Sequence, residues 1–143
     1  MTYQVIIDDN FHYMDPEHQR VGPRFATLEE AVAYCRRVVD EFLIENYRFG
    51  MPSYELLTQY LLYGEDPFVR GGEGGVPFSA RDYAGTWIRE VYGEWQFAVC
   101  NRDKPLLSRL IATALAPVVR WRIGRRLHRS AAWSATSVRR GRD

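Results

Sequence analysis

Residues 27–46 read TLEEAVAYCRRVVDEFLIEN, and this stretch decides the fold class. Thr27 can accept a hydrogen bond from the amide of Glu30 while the Glu30 carboxylate reaches back to the amide of Thr27, so two donors that a helix start leaves without partners are satisfied. A helix therefore begins here. Leu28, Ala31, Val32, Cys35, Val38, Val39, Phe42 and Leu43 recur at helical spacing, and Glu29, Glu30, Arg36, Arg37, Asp40, Glu41 and Glu45 take the other side. A helix with one apolar face needs a surface to cover, and a sheet is the expected one. Gly50 and Pro52 stop it at Asn46 or Tyr47.

Working outward, Tyr3, Val5 and Ile7 alternate with Gln4, Ile6 and Asp8, the pattern of a strand with one buried face. Asp15-Pro16 signals a turn in the polar stretch that follows. An extended segment at Val21 to Ala26 contains Pro23, which favours a sheet edge. Downstream, Ser53 is expected to cap a helix running to Tyr63, with Leu56, Leu57, Tyr60 and Leu61 buried and Gly64 just past the end. Pro67 to Val69 reads as a short strand and Arg70 to Gly75 as a flexible loop. Ser79 caps a third helix that Gly93 ends, and alternation from Glu94 to Cys100 suggests a last strand. This order predicts an α+β fold, a small β-sheet with three helices packed on one face.

Charge divides the chain. Residues 1–100 hold eight Arg, no Lys and 16 Asp+Glu, a net of −8, whereas residues 101–143 hold ten Arg, one Lys and two Asp, a net of +9. The expected organisation is an acidic α+β domain at 1–100, a basic amphipathic arm at 101–129 and a disordered tail at 130–143. On a helical wheel Leu106, Leu107, Leu110, Ile111, Ala114, Leu115, Val118 and Trp121 gather on one side of the arm, with Arg109 and Arg120 opposite. Pro117 is expected to kink or shorten this helix. Such an arm can dock on the body or on a second copy, or lie on an anionic membrane surface. Nucleic acid is disfavoured as a partner, because the body's −8 would repel a polyanion.

Several classes are excluded or set aside. The 46% hydrophobic content excludes wholesale disorder. No apolar run approaches the roughly 18 residues of a spanning helix, and the N-terminus does not read as a secretory signal. Cys35 and Cys100 make no disulfide framework, so a reducing cytoplasm, with peripheral membrane attachment as the variant, is expected. Gly71-Gly72-Glu73-Gly74-Gly75 lacks the Gly-Lys-Ser/Thr of a phosphate loop, and no motif calls for a cofactor.

The densest polar constellation is residues 8–18. Asp9, His12, Asp15 and His18 are types that can ligate a divalent metal, and Asp9 with His12 could serve as an acid and base pair. Their spacing matches no established metal signature, so a solvated connection used as a binding surface is the stronger expectation. Tyr60 and Tyr63 are candidates for an aromatic patch beside it.

Four stretches, Asp8-Asp9-Asn10-Phe11-His12-Tyr13-Met14, Val39-Asp40-Glu41-Phe42-Leu43, Gly64-Glu65-Asp66-Pro67-Phe68 and Pro77-Phe78-Ser79-Ala80, give residues 3–93 a likeness to a group of small bacterial proteins of unknown function. The resemblance implies a single domain and carries over no functional residue. The expectation is a small cytoplasmic, non-enzymatic protein-interaction module, with Asp9, His12, Tyr60, Tyr63, Arg109, Arg120 and Trp121 as its contact residues. The alternatives are a metal-dependent or acid/base enzyme at the 8–18 loop and a membrane-tethered protein using the basic helix.

Overall fold

The computed structural model describes residues 2–12, 15–71, 78–93 and 105–137. The chain runs β1 (Tyr3–Asp9), β2 (Arg20–Phe25), α1 (Leu28–Asn46), α2 (Ser53–Tyr63), β3 (Glu65–Arg70), α3 (Ala80–Tyr92) and α4 (Pro105–Ser137), with 3-10 turns at Asn10–His12 and Pro16–His18. The expected α+β class is the observed one. The strand expected at Glu94 to Cys100 and most of the glycine run at 71–75 lie outside the described residues.

The three strands form an antiparallel sheet in the order β2-β1-β3, so among the described residues Pro23 lies on an edge strand. Val5 and Ile7 enter the core. Ile6 is buried as well, with Val21 and Phe68 as cross-strand partners, so the central strand buries more than the single face its alternation implies.

Helix α1 begins on the expected capping box: Glu30 N donates to Thr27 Oγ1 and Thr27 N to Glu30 Oε2, both at 3.3 Å. Its fully buried residues Ala31, Cys35, Val39 and Leu43 recur every fourth position and face the sheet and the other helices. It packs on all three strands, while α2 and α3 pack on it and on each other, and α3 also reaches β3. Ser79 Oγ accepts from Asp82 N at the start of α3. Ser53 does not cap α2. Pro52 takes that place, its carbonyl accepting from Glu55 N at 3.1 Å, and Ser53 lies buried inside the first turn.

The basic arm docks on the acidic body, but not with the expected face. Ala112, Ala116, Val119 and Ile123 are the buried side, with Val119 and Ile123 joining the main core. Leu106, Leu110, Ala114, Val118 and Trp121 point outward. The small alanines let the helix axis come close to the body, which the bulkier leucines would hold away. Two glycines receive it: a Cβ on Gly50 would meet Thr113 Oγ1 at 2.9 Å and one on Gly93 would meet Arg122 Nη1 at 3.0 Å, and both hold positive φ, at +76° and +87°. Helix α4 is continuous through Pro117 rather than shortened there. It also extends to Ser137, so residues 130–137, expected to be disordered, are helical. That segment holds three alanines and no Gly or Pro to break the pattern.

Charge closes the joint. Arg126 pairs with Glu90 and lies 3.8 Å from Asp40 Oδ1, and its Nη2 donates to Tyr83 Oη at 2.8 Å. Its guanidinium carbon stands 5.5 Å from the Tyr83 ring centroid and 5.7 Å from that of Trp87. Arg122 Nη1 donates to the Val91 carbonyl at 3.3 Å, placing a cation at the C-terminal end of α3. Burial pushes the Asp40 carboxyl up, opposed by the hydrogen bond from Tyr83 Oη and by the charge of Arg126. Arg126→Ala is therefore expected to cost about 2–3 kcal/mol, toward the low end for a broken buried pair because some solvent reaches the site. Chemical denaturation measures it, and the double variant Asp40→Leu/Arg126→Leu should lose less than the sum of its single variants.

Candidate functional site

The connection from β1 to β2 is built from two copies of one local device. In the first, Phe11 N donates to Asp9 Oδ1 at 2.9 Å and His12 Nδ1 to Asp9 Oδ2 at 2.9 Å. In the second, Glu17 N donates to Asp15 Oδ1 at 3.1 Å and His18 Nδ1 to Asp15 Oδ2 at 3.0 Å. Each aspartate uses one oxygen to cap a 3-10 turn and the other to orient the imidazole three residues on. With an ionised carboxylate as acceptor, Nδ1 carries the proton and Nε2 is left as the acceptor of the neutral ring.

The two devices fold against each other so that the His12 and His18 rings stack, with centroids 3.9 Å apart and planes within 8°. Phe11 meets the edge of His12 at 4.9 Å and stacks on Tyr63 at 5.8 Å. The result is a ladder of four rings, Tyr63, Phe11, His12 and His18. It is fastened at its base by Asn10, whose N donates to the Gly64 carbonyl and whose Nδ2 donates to the Tyr60 carbonyl, both at 3.0 Å. The ladder is open to solvent: Phe11 is 64% and Tyr63 59% exposed.

The structure thus brings together Asp9, His12, Asp15, His18 and Tyr63, and separates Tyr60 from them. Tyr60 is 1% exposed, its Oη donates to the Glu65 carbonyl at 2.9 Å, and burial pushes its phenol well up. It is a core residue, whereas Tyr63, the last residue of α2, is exposed. Phe11 is the residue that sequence reasoning passed over. The available signal was the repeated Asp-x-x-His spacing at 9–12 and 15–18, with an apolar residue inside the first copy.

Below the ladder, Asn10, Tyr60, Leu61, Asp66, Ser79 and Arg81 line a cleft of about 420 Å³. Asp66 pairs in register with Asp8 across the β1–β3 ladder. Burial first, and the Asp8 charge second, raise its carboxyl above the ordinary aspartate range. Among the described residues no group of three or more His, Cys, Asp or Glu could hold a metal ion. The two imidazoles, each oriented by a carboxylate as metal-ligating histidines are, do not by themselves make a ligand set. Cys35, buried in the core, has its thiol pushed up to about 12 by burial, which removes it as a nucleophile.

On the arm, Arg109 Nη2 donates to Glu55 Oε2 at 3.2 Å across the joint with α2. Arg120 and Trp121 lie exposed on α4, and Arg125 stacks over the Trp121 ring at 4.3 Å. No described helix is long and apolar enough to cross a membrane. Comparison with protein-family models, curated proteins and solved structures found no match.

Asp9 is held below the ordinary aspartate range first by the His12 hydrogen bond and then by that from Phe11 N, and Asp15 likewise by Glu17 N and then His18. A depressed carboxyl stabilises the turn at pH above its unfolded value, about 3.9, and that contribution is lost as pH falls through the lower folded value. His12→Ala should move the Asp9 midpoint upward while Asp15 shifts less. Carboxyl carbon NMR titration measures both, and an unmoved Asp9 contradicts the assignment.

Proposed function

We propose that the protein is a small cytoplasmic, non-enzymatic interaction module whose recognition surface is the ladder Tyr63–Phe11–His12–His18. The observation that carries this reading is that two large aromatic side chains are stacked on each other in solvent rather than placed in the core. Aromatic residues held in one conformation lose little entropy on association and supply much of the energy at protein interfaces. The Asn10 anchor and the two capped turns hold them so. The net −8 of residues 1–100, with Asp9 and Asp15 at the base of the ladder, favours a partner patch that is apolar at its centre and basic at its rim. Cys35 as a buried free thiol suits a reducing setting.

A second reading, acid/base chemistry at the same loop, is favoured by the paired Asp–His hydrogen bonds; its metal-dependent form needs ligands beyond the two imidazoles. Stoichiometric metal in protein purified without chelator, lost in His12→Ala, would support that form.

The interaction reading is tested by quantitative affinity capture with the full chain and with Phe11→Ser/Tyr63→Ser. Both residues are exposed, so the melting temperature should stay within a few degrees of wild type. The partner recovered by the wild type should bind the double variant about 30-fold or more weakly, the equivalent of about 2 kcal/mol for the pair. An identical set of captured proteins from both chains would refute the assignment of this surface.

A further inference from the structure

We propose that the outer face of α4 docks on an anionic lipid bilayer surface, with the helix lying along the interface and the acidic body held on its far side. The face turned from the body carries Leu106, Leu110, Val118 and Trp121, exposed by 80%, 70%, 43% and 56%. These positions follow one another at intervals of three, four or eight residues and share one side of the helix. On the helical wheel that side lies opposite the buried Ala112, Ala116, Val119 and Ile123, so the body and a second surface can grip the helix at once.

Charge identifies the occupant. Residues 105–137 contain no Asp or Glu. The exposed stripe is bordered by Arg120 and by Arg125, which stacks on Trp121. If a second copy of α4 lay on this face, arginines would meet arginines with no carboxylate on either helix to pair them. Phospholipid headgroups supply the missing anions, and the acyl boundary beneath them accommodates leucine, valine and tryptophan. The sequence on either side adds Arg102 and Lys104 before the helix and Arg139, Arg140 and Arg142 after it.

The acidic body does not forbid this contact. A helix with side chains is about 10–12 Å across, more than the screening length of about 8 Å at physiological ionic strength. Most of the body's negative charge is therefore screened from a bilayer on the other side of α4. The charges nearest the joint are also spent locally, since Glu55 pairs with Arg109 and Glu90 with Arg126.

Flotation of the full chain with vesicles of phosphatidylcholine mixed with phosphatidylglycerol, against phosphatidylcholine alone, tests the proposal. Binding should favour the anionic vesicles by about tenfold or more and weaken as salt is raised. Leu110→Ser/Trp121→Ser, at exposed positions, should keep the wild-type melting curve and lose about tenfold or more of the binding. Arg120→Gln/Arg125→Gln should reduce the preference for anionic vesicles by about fivefold per arginine, the equivalent of about 1 kcal/mol each. The proposal is overturned if the wild type does not float, if it partitions equally between the two vesicle types, or if the apolar double variant binds as well as the wild type. It is overturned equally by sedimentation showing a wild-type dimer that Leu110→Ser/Trp121→Ser converts to monomer.

Discussion

Asp40 lies on the flank of α1 in surroundings that disfavour its charge, and the assembly of the helices depends on how that carboxylate is accommodated. Tyr83 of α3 donates to it at 2.9 Å and Arg126 of α4 stands 3.8 Å away, so residues from three helices converge on one group. A buried carboxylate without a cation would be costly, and a half-buried guanidinium without an anion equally so. The net −8 and +9 of the two parts are thereby joined at a defined place rather than by diffuse attraction. Glu90 and the rings of Tyr83 and Trp87 complete the surroundings of Arg126. Val119 and Ile123 then add apolar contacts that carry no charge.

Because the body takes the side of α4 that carries Ala112, Ala116, Val119 and Ile123, the side that carries Leu106, Leu110, Val118 and Trp121 is left over. The same docking that neutralises part of the arm's charge sorts its apolar residues into two groups, alanine, valine and isoleucine inward and leucine, valine and tryptophan outward. The ladder on the β1–β2 connection has a different origin. It rests on local hydrogen bonds within two turns and on the Asn10 anchor to the end of α2. The molecule thus presents two independent surfaces, one of rings and carboxylates, the other of leucine, tryptophan and arginine.

What could be read from the sequence was what local chemistry determines. The Thr27–Glu30 capping box, Ser79 as a cap, the stops at Gly64 and Gly93 and the edge position of Pro23 each follow from one or two residues acting on their own backbone, and all hold in the structure. Ser53 is not the cap because α2 begins one residue earlier than that reading requires, with Pro52 extended (φ −66°, ψ 150°) and its carbonyl accepting from Glu55 N. The arm shows the limit of periodicity. A wheel ranks faces by total hydrophobicity, so it favoured the leucines, whereas docking selected the face whose small residues allow close approach. Nor could spacing distinguish Tyr60 from Tyr63, since both lie near the end of α2 and only the fold decides which one meets the core. The ladder was partly legible: the residue types at 8–18 marked the region, but the stacking of His12 on His18 and of Phe11 on Tyr63 depends on how two turns pack, which no single-residue preference encodes.

The central claim is that α4 belongs to the core of this protein rather than hanging from it as a basic tail. Amide hydrogen exchange on the full chain in solution without lipid tests this most directly. If α4 is docked through Ala112, Ala116, Val119, Ile123 and Arg126, amides between about residues 112 and 126 should exchange only through openings comparable to those that expose α1, slower by orders of magnitude than in an isolated helix. Exchange across that segment at the rate of a solvated peptide, while α1 stays protected, would contradict the account.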